Sequence, residues 1–187
     1  GLAYVRTVEA QTLLDRARFY PGVLDGEWGK NTEKAVWWFQ VSTGIEPTRF
    51  VDAVTLEKLE IAAGDPAETV VARVLDEEDV AGPFVAIPAD VYRQSDLRCL
   101  CYESVAEKLA ERFHASIEIL TVLNPGVDFE ALSAGDTLKV PAIDGTAAET
   151  RHIERVVVSG LGSYVHALDA EGHIVYHFPT TLGSQWR

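Results

Sequence analysis

Apolar residues at helical spacing predict a compact module of three helices over residues 5–59. One apolar face of a helix recurs at i, i+3, i+4 and i+7. The first such face consists of Ala10, Leu13, Leu14 and Ala17. Two turn pairs then interrupt the helical pattern, Pro21-Gly22 and Asp25-Gly26.

The second helix of this module is predicted to start near Asn31-Thr32, because Glu33 suits the positive N-terminal end of a helix. The third helix is predicted to follow Asp52, a residue type that caps helix N-termini. Two leucines of the third helix are expected to be buried, Leu56 and Leu59.

Residues 61–83 differ from the helical module in composition. Acidic residues dominate this stretch, and glycine and proline punctuate it. The pattern indicates an acidic linker that contains one short strand at Val70–Leu75.

A second module is predicted over residues 84–143. Ser104 and Glu107 have the spacing of a capping box. An apolar face follows at Ala106, Leu109, Ala110 and Phe113. A short helix from about Ser116 to Leu123 must end at Asn124-Pro125-Gly126, and Leu138–Val140 indicates a strand. The predicted order is strand, helix, helix, strand.

The last segment, residues 151–187, has only strand and turn patterns. The β-rich runs are Val156–Ser159, Ser163–Leu168 and Ile174–Phe178. We expect antiparallel pairing with one unprotected edge, as in the opening strands of a larger sheet. Its apolar face is expected to meet residues 84–143, a second copy or residues outside this chain, which favours self-association. The fold class is therefore multidomain α+β.

Composition and charge narrow the classes of partner. The 47% hydrophobic and 24% charged residues exclude bulk disorder. A net charge of −13 disfavours nucleic acid and anionic membrane surfaces as partners. No apolar run is long enough to insert into a membrane, and no secretory signal opens the chain. Because the chain contains no Met, Gly1 is not expected to be the translation start.

A spaced motif in the first module resembles the peptidoglycan-binding domain of cell-wall enzymes. The motif reads Gln11-x-x-Leu14, then Pro21-Gly22-x-x-Asp25-Gly26-x-x-Gly29-x-x-Thr32-x-x-Ala35-Val36-x-x-Phe39-Gln40. The resemblance implies a three-helix bundle that docks on murein, in which most motif residues shape the fold.

Two tryptophans depart from this motif. With Ala35 at zero and about 100° per residue, Trp37 falls at about 200° and Trp38 at about 300°. The residues of the apolar face cluster near 50°, so Trp37 is expected to point away from the core. We expect it to contact a neighbouring domain, and the alternative is a platform on which a sugar ring stacks.

The second module resembles a LysM domain, a family with a βααβ fold that binds chains of N-acetylglucosamine. The matching stretches are Leu120-x-x-Leu123-Asn124-Pro125 and Gly135-Asp136-x-Leu138-x-Val140-Pro141. The family's Gly-Asp-Thr-Leu loop is replaced by Tyr102-Glu103-Ser104-Val105. This loop lines the sugar groove of the family, so a spacer without sugar binding is the alternative.

The third segment resembles the first strands of an L,D-transpeptidase catalytic domain of the YkuD (ErfK) type. The likeness rests on Ala167-Leu168-Asp169-x-x-Gly172-x-Ile174-Val175 and Phe178-Pro179-x-Thr181-x-Gly183. The Ser-His-Gly-Cys-x-Arg stretch that carries the catalytic thiol of this family does not occur, so no residue is assigned a catalytic role.

Together the resemblances imply the targeting part of an enzyme that cross-links murein stem peptides, located in the cell envelope, periplasmic or extracytoplasmic. The alternatives are a stand-alone peptidoglycan-binding protein and the targeting part of a murein hydrolase. Glycan strands and stem peptides are the expected partners, and no cofactor is expected. The candidate peptidoglycan-binding residues are Asp25, Gly26, Trp28, Gly29, Thr32, Trp37, Trp38, Gln40, Ser104 and Asn124.

Cysteine and histidine positions suggest no further chemistry. Cys99 and Cys101 are expected to pack as buried thiols, since free cysteine is among the most buried residue types. His173 and His177 lie four apart and are expected on the surface of a strand. No metal site is predicted.

Overall fold

The computed structural model describes residues 2–64, 68–144 and 152–181. The fold is mixed α+β, with two small antiparallel sheets. The helices are α1 Leu2–Arg16, α2 Lys30–Ser42, α3 Ala53–Ala63, α4 Glu77–Val80, α5 Val91–Gln94, α6 Val105–Arg112 and α7 Ile117–Leu123. The strands are β1 Val70–Val74, β2 Thr137–Pro141, β3 Arg155–Ser159, β4 Tyr164–Leu168 and β5 Ile174–Pro179. The chain forms two compact units, Gly1–Thr69 with Ala142–Arg187, and Val70–Pro141.

The three-helix module of the first unit is confirmed. Helices α1, α2 and α3 enclose a core whose most buried members include Leu14, Phe39 and Leu59. Asp52 caps α3, since its side chain accepts a 2.8 Å hydrogen bond from Thr55 N. The expected burial of Leu56 is wrong, because 39% of it is exposed. The buried face of α3 consists of Thr55, Leu59 and Ala63, and Leu56 lies at its margin, about 60° from Leu59.

The sheet of the first unit has the order β3-β4-β5 with antiparallel pairing throughout, as predicted. Its edge strand β5 meets the chain that follows α1. Tyr20 N donates to His177 O, and His177 N donates to Arg18 O, both at 2.9 Å. The sheet therefore packs against the helical module, a cover that the sequence did not predict. On its opposite face Val156 and Val158 are 60% and 62% exposed.

The second unit has a two-stranded sheet in which β1 and β2 pair antiparallel, from Val70↔Pro141 to Val74↔Thr137. Helices α6 and α7 bury Leu109, Ile119 and Leu120. The strand predicted at Val70–Leu75 is confirmed as β1, but it belongs to this unit and not to a linker. The first strand expected within residues 84–143 is wrong, because the described residues before α6 in that range form no strand and the four helices α4 to α7 lie between β1 and β2.

The helix starts of the second unit follow local sequence closely. Ser104 caps α6 by accepting a 3.1 Å hydrogen bond from Glu107 N. The reciprocal bond of the predicted capping box is displaced by one residue, because Glu107 Oε2 accepts from Glu103 N at 2.6 Å. Helix α7 ends at Leu123, as predicted.

The prediction of free buried thiols is wrong. Cys99 and Cys101 form a disulfide, and both residues are half-buried. Their Cα atoms lie 5.2 Å apart, within the range that a disulfide can span. Because the two residues are separated by Leu100 alone, the bridge closes a very small ring.

Candidate functional site

Several motif residues form a hydrogen-bonded network inside the first unit. Gln11 is buried in α1, and its Nε2 donates to Asp25 Oδ1 at 2.9 Å and to Thr32 Oγ1 at 3.2 Å. Its Oε1 accepts from Gly26 N at 2.9 Å. The network fixes the turn that precedes α2. The polar groups of Asp25, Gly26 and Thr32 are thus engaged within the fold.

Gln40 has a similar role at the other end of α2. It is fully buried, and its Nε2 donates to Phe50 O at 2.9 Å and to Thr55 Oγ1 at 3.0 Å. Its Oε1 accepts from Arg49 N at 3.0 Å. These contacts hold the loop between α2 and α3. Gln40 therefore positions Phe50 through the backbone.

A cleft of about 860 Å³ lies along α1 and is closed by Trp28 and by the start of α3. Its lining residues are Arg6, Thr7, Glu9, Ala10, Trp28, Phe50, Val51 and Leu56. Phe50 is 64% exposed, so a large aromatic ring is available to a ligand here. Arg6 and Glu9 are exposed and add opposite charges. The cleft therefore combines apolar surface with groups that can bind polar substituents.

Trp28 connects this cleft to the core of the module. The residue is half-buried and packs against the core cluster. Its indole Nε1 is buried and has no hydrogen-bond partner. A buried N–H without an acceptor costs about 1–3 kcal/mol, so a ligand acceptor that reached it would gain more than an exposed contact provides. Gly29 comes directly before α2 as its N-cap residue, with no side chain to cap the helix.

The two tryptophans of α2 have different partners. Trp37 is half-buried and lies beside Arg49, whose guanidinium carbon is 4.7 Å from the ring centroid. Trp38 meets Tyr164 and His166 of the sheet, with ring centroids 5.0 Å and 4.5 Å apart. Trp37 points away from the core face, as predicted. Trp38 makes the kind of contact with a later segment that was expected of Trp37.

The candidate residues of the second unit serve local structure. Asn124 is buried, and its Nδ2 donates to Lys139 O at 2.8 Å while its Oδ1 accepts from Lys139 N at 2.7 Å. The amide thereby joins the end of α7 to β2. Ser104 uses its hydroxyl as the cap of α6.

Two histidines are not on the strand surface, which corrects the prediction for His177. His166 Nε2 and His177 Nδ1 lie 3.0 Å apart, and both residues are buried against the helical module. Burial lowers the pKa of His166 to about 4. Burial, followed by the charges of His166 and Lys34, lowers the pKa of His177 to about 3. Both rings are therefore neutral at pH 7.

Three residues whose side chains can ligate a metal ion lie close together at the β4–β5 turn. Ligand atoms of Asp169, Glu171 and His173 all lie within 4.8 Å of one another. Glu171 and His173 are exposed, and His173 Nδ1 is 3.2 Å from Asp169 Oδ2. Such a group occurs on many surfaces without an ion.

Trp28 is the one lining residue of the cleft that the sequence analysis proposes for binding. The residues that it missed are Arg6, Thr7, Glu9, Ala10, Phe50, Val51 and Leu56. Phe50 falls in an irregular loop, where no periodicity predicts its direction. Leu56 lies only about 60° from Leu59 around α3, so the helical period alone predicts it in the core and does not reveal its exposure.

Comparison with known families gives one result for this chain. The model of the putative peptidoglycan-binding domain family matches residues 6–59, which cover all of α2 and most of α1 and α3. The match supports peptidoglycan binding by this module and a location outside the cytoplasm or at the cell wall. No curated protein matches the chain. Among the described residues, no helix is both long and apolar enough to cross a bilayer.

Proposed function

We propose that the chain binds the glycan strands and stem peptides of peptidoglycan through the cleft between α1 and the start of α3. The observation that carries the proposal is the coincidence of the family match at residues 6–59 with this cleft. Phe50 offers an exposed ring against which a sugar ring can stack. Trp28 Nε1 offers a donor for an acetamido carbonyl, after a small displacement of the residues that bury it.

Retention of the full chain on purified sacculi tests this proposal. Phe50→Ala is expected to reduce retention about tenfold, since it removes an exposed ring at little cost to the fold. Val23→Ala is the matched control, because Val23 is similarly exposed, at 57%, but lies outside the cleft. Equal retention of the two variants would place binding elsewhere.

The same retention assay compares how much each of the two modules contributes to peptidoglycan binding. Tyr102→Ala alters the loop of the second unit that differs from the LysM pattern, and we expect it to leave retention unchanged. Loss of retention in Tyr102→Ala with normal retention in Phe50→Ala would reverse this ranking. The binding of either module alone is expected to be weak, because small modules gain affinity when tethered together.

The finer function is the targeting of an L,D-transpeptidase that cross-links stem peptides. Its support is the likeness of residues 156–183 to the opening strands of that catalytic domain, together with the peptidoglycan-binding match at residues 6–59 and the LysM-like stretch ahead of them. The gene sequence after Arg187 tests this assignment. A Ser-His-Gly-Cys-x-Arg motif there supports it, whereas a hydrolase domain or a stop codon supports the alternatives. Chain 1–187 alone is expected to form no acyl-enzyme at Cys99 or Cys101.

An oxidising compartment such as the periplasm fits the Cys99–Cys101 disulfide, since disulfides are rare in the cytosol.

We also propose that the chain associates with itself through the sheet of the first unit. In the described part of the chain no strand pairs with the outer edge of β3, and Leu161 at its end is fully exposed. Light scattering of the full chain at high concentration is expected to show dimers, and a strict monomer would remove this element.

A further inference from the structure

Two histidines lie at the contact between the sheet and the helical module. His166 on β4 and His177 on β5 are register partners, and their facing nitrogens are 3.0 Å apart. The exposed fractions are 5% for His166 and 0% for His177. The pair is therefore enclosed by protein on the side where the sheet meets the helices.

Aromatic rings from the helical module enclose this pair. Trp38 of α2 meets the His166 ring edge-on, with centroids 4.5 Å apart, while Tyr164 stacks on the same ring at 4.1 Å. Phe19, which follows α1, stacks near His177 with centroids 6.5 Å apart. Since Phe19 and Trp38 belong to the module and the histidines to the sheet, separation of the two parts would expose the pair to water.

The backbone makes contact at the same place. Arg18 O and Tyr20 N bond to N and O of His177, so the chain after α1 extends the edge of the sheet by one bridge. These two amide hydrogens, of Tyr20 and His177, report directly on whether the sheet is docked.

Few charged groups face the pair. Lys34 of α2 donates to the carbonyls of Gly162 and Ser163 at 3.2 and 3.3 Å, and its charge disfavours protonation of His177. Tyr164 contributes a phenol from β4, and β3 places Val157 opposite His166. The Arg18 guanidinium lies over Tyr176, with its central carbon 5.1 Å from the ring centroid. Among the described residues, burial lowers both pKa values, His166 and Lys34 add to the lowering for His177, and no carboxylate is among these causes.

The neutral pair satisfies its shared hydrogen bond with one N–H and one lone pair. When both rings are protonated, both facing nitrogens carry hydrogens, and the bond is replaced by repulsion between two cations. His177 Nε2 is buried without a partner, so a proton added there would also have no acceptor. Protonation of the rings is therefore unfavourable while the sheet is docked. Once the rings are in water, they take up protons at the usual histidine pKa.

We propose that the His166–His177 pair is an acid-operated latch that holds the sheet on the helical module at neutral pH and releases it on protonation. In the undocked state each ring has the usual pKa of about 6.5. Docking stability is therefore fully present above pH 6.5. It decreases as the pH falls towards the lowered pKa values of the docked rings, about 4 for His166 and about 3 for His177. The ratio of docked to undocked molecules falls by up to about tenfold per pH unit for each ring.

The test uses the full chain and two NMR measurements. First, the rings of His166 and His177 are expected to titrate well below the usual histidine pKa of about 6.5. Second, between pH 6.5 and 4.5 the protection factors of the Tyr20 and His177 amides are expected to fall at least tenfold, after correction for intrinsic exchange rates. The core amides of α2 are expected to stay protected. Ring pKa values near 6.5, or loss of protection in α2 at the same pH, would overturn the latch.

A variant separates the histidine pair from general acid sensitivity. His166→Gln with His177→Gln keeps hydrogen-bonding groups but removes the titration, so amide protection at Tyr20 is expected to become independent of pH. His173→Gln is the control and should keep the wild-type pH dependence, since His173 is exposed and pairs with Asp169. If the double variant does not dock, the pKa values of His166 and His177 in the wild type decide the question. Values well below 6.5 support the latch, and values near 6.5 reject it.

Discussion

Gln11 and Asp25 are joined by a 2.9 Å hydrogen bond from Nε2 to Oδ1, although 14 residues separate them in the sequence. The bond attaches α1 to the turn before α2. The backbone N–H of Gly26 donates to the same amide group, so one buried side chain organises the whole turn.

Substitution of Gln11 is therefore expected to be costly. Gln11→Leu should lower the free energy of unfolding by at least about 2 kcal/mol, because it leaves buried polar partners without hydrogen bonds. Urea unfolding followed by tryptophan fluorescence measures the change. Glu57→Ala, at an exposed position of α3, should alter stability by less than about 0.5 kcal/mol. Similar values for both variants would contradict the assigned role of Gln11.

The adjacent tryptophans of α2 are expected to differ in their contribution to stability. Trp38→Ala should destabilise the first unit by at least about 2 kcal/mol, since the residue packs on the core and on the sheet. Trp37→Ala should cost less, because its ring lies beside the Arg49 guanidinium of the following loop. Thermal unfolding of the two variants provides the comparison. The reverse order would show that Trp37 is the more important anchor.

The second unit contains a buried ion pair, whose removal is expected to destabilise the fold more than removal of an exposed pair. Asp79 is fully buried, and Arg112 binds its carboxylate while Asp76 N donates to it at 2.9 Å. Arg112→Met should cost about 3–5 kcal/mol, because it removes the cationic partner of a buried carboxylate and leaves it the backbone N–H of Asp76.

Arg93→Met is the control for this ion pair. Arg93 pairs with Asp90 at 4.0 Å, and its side chain is 77% exposed, so the cost should stay below about 1 kcal/mol. Chemical denaturation monitored by far-ultraviolet circular dichroism measures both variants. Equal effects would mean that Asp79 gains little from Arg112.

The disulfide is expected to contribute little to stability. A bridge restricts the unfolded chain in proportion to the logarithm of ring size, and this ring contains only three residues. Replacing both cysteines by serine should therefore cost at most about 2 kcal/mol. Comparison of melting temperatures with and without reductant checks the same point without mutation. A loss of folding on reduction would show that the bridge has a larger structural role.

The candidate site could be predicted only in part. The motif located the turn at Asp25-Gly26 and the helix after it, because those residue types have local backbone preferences. The sequence could not show that Gln40 is fully buried, since its partners lie in the next loop and helix. The cleft also depends on Phe50, whose direction is set by the packed loop rather than by any repeat.

Local interactions account for what the sequence determined by itself. The apolar stripes, the caps at Asp52 and Ser104, and the end of α7 before Asn124 depend on atoms only a few residues apart. Such features recur wherever the same residues recur, so their prediction needed no knowledge of the rest of the chain.

Contacts between distant segments were decided by the tertiary structure alone. The strand at Val70–Val74 was predicted, but only its pairing with Thr137–Pro141 made it part of the second unit. Docking of β5 beside Phe19 buried His177, which the strand pattern had placed on the surface. Both outcomes depend on which surfaces fit together after long loops have closed. This complementarity is a property of the folded structure, and no repeating pattern in the sequence predicts it.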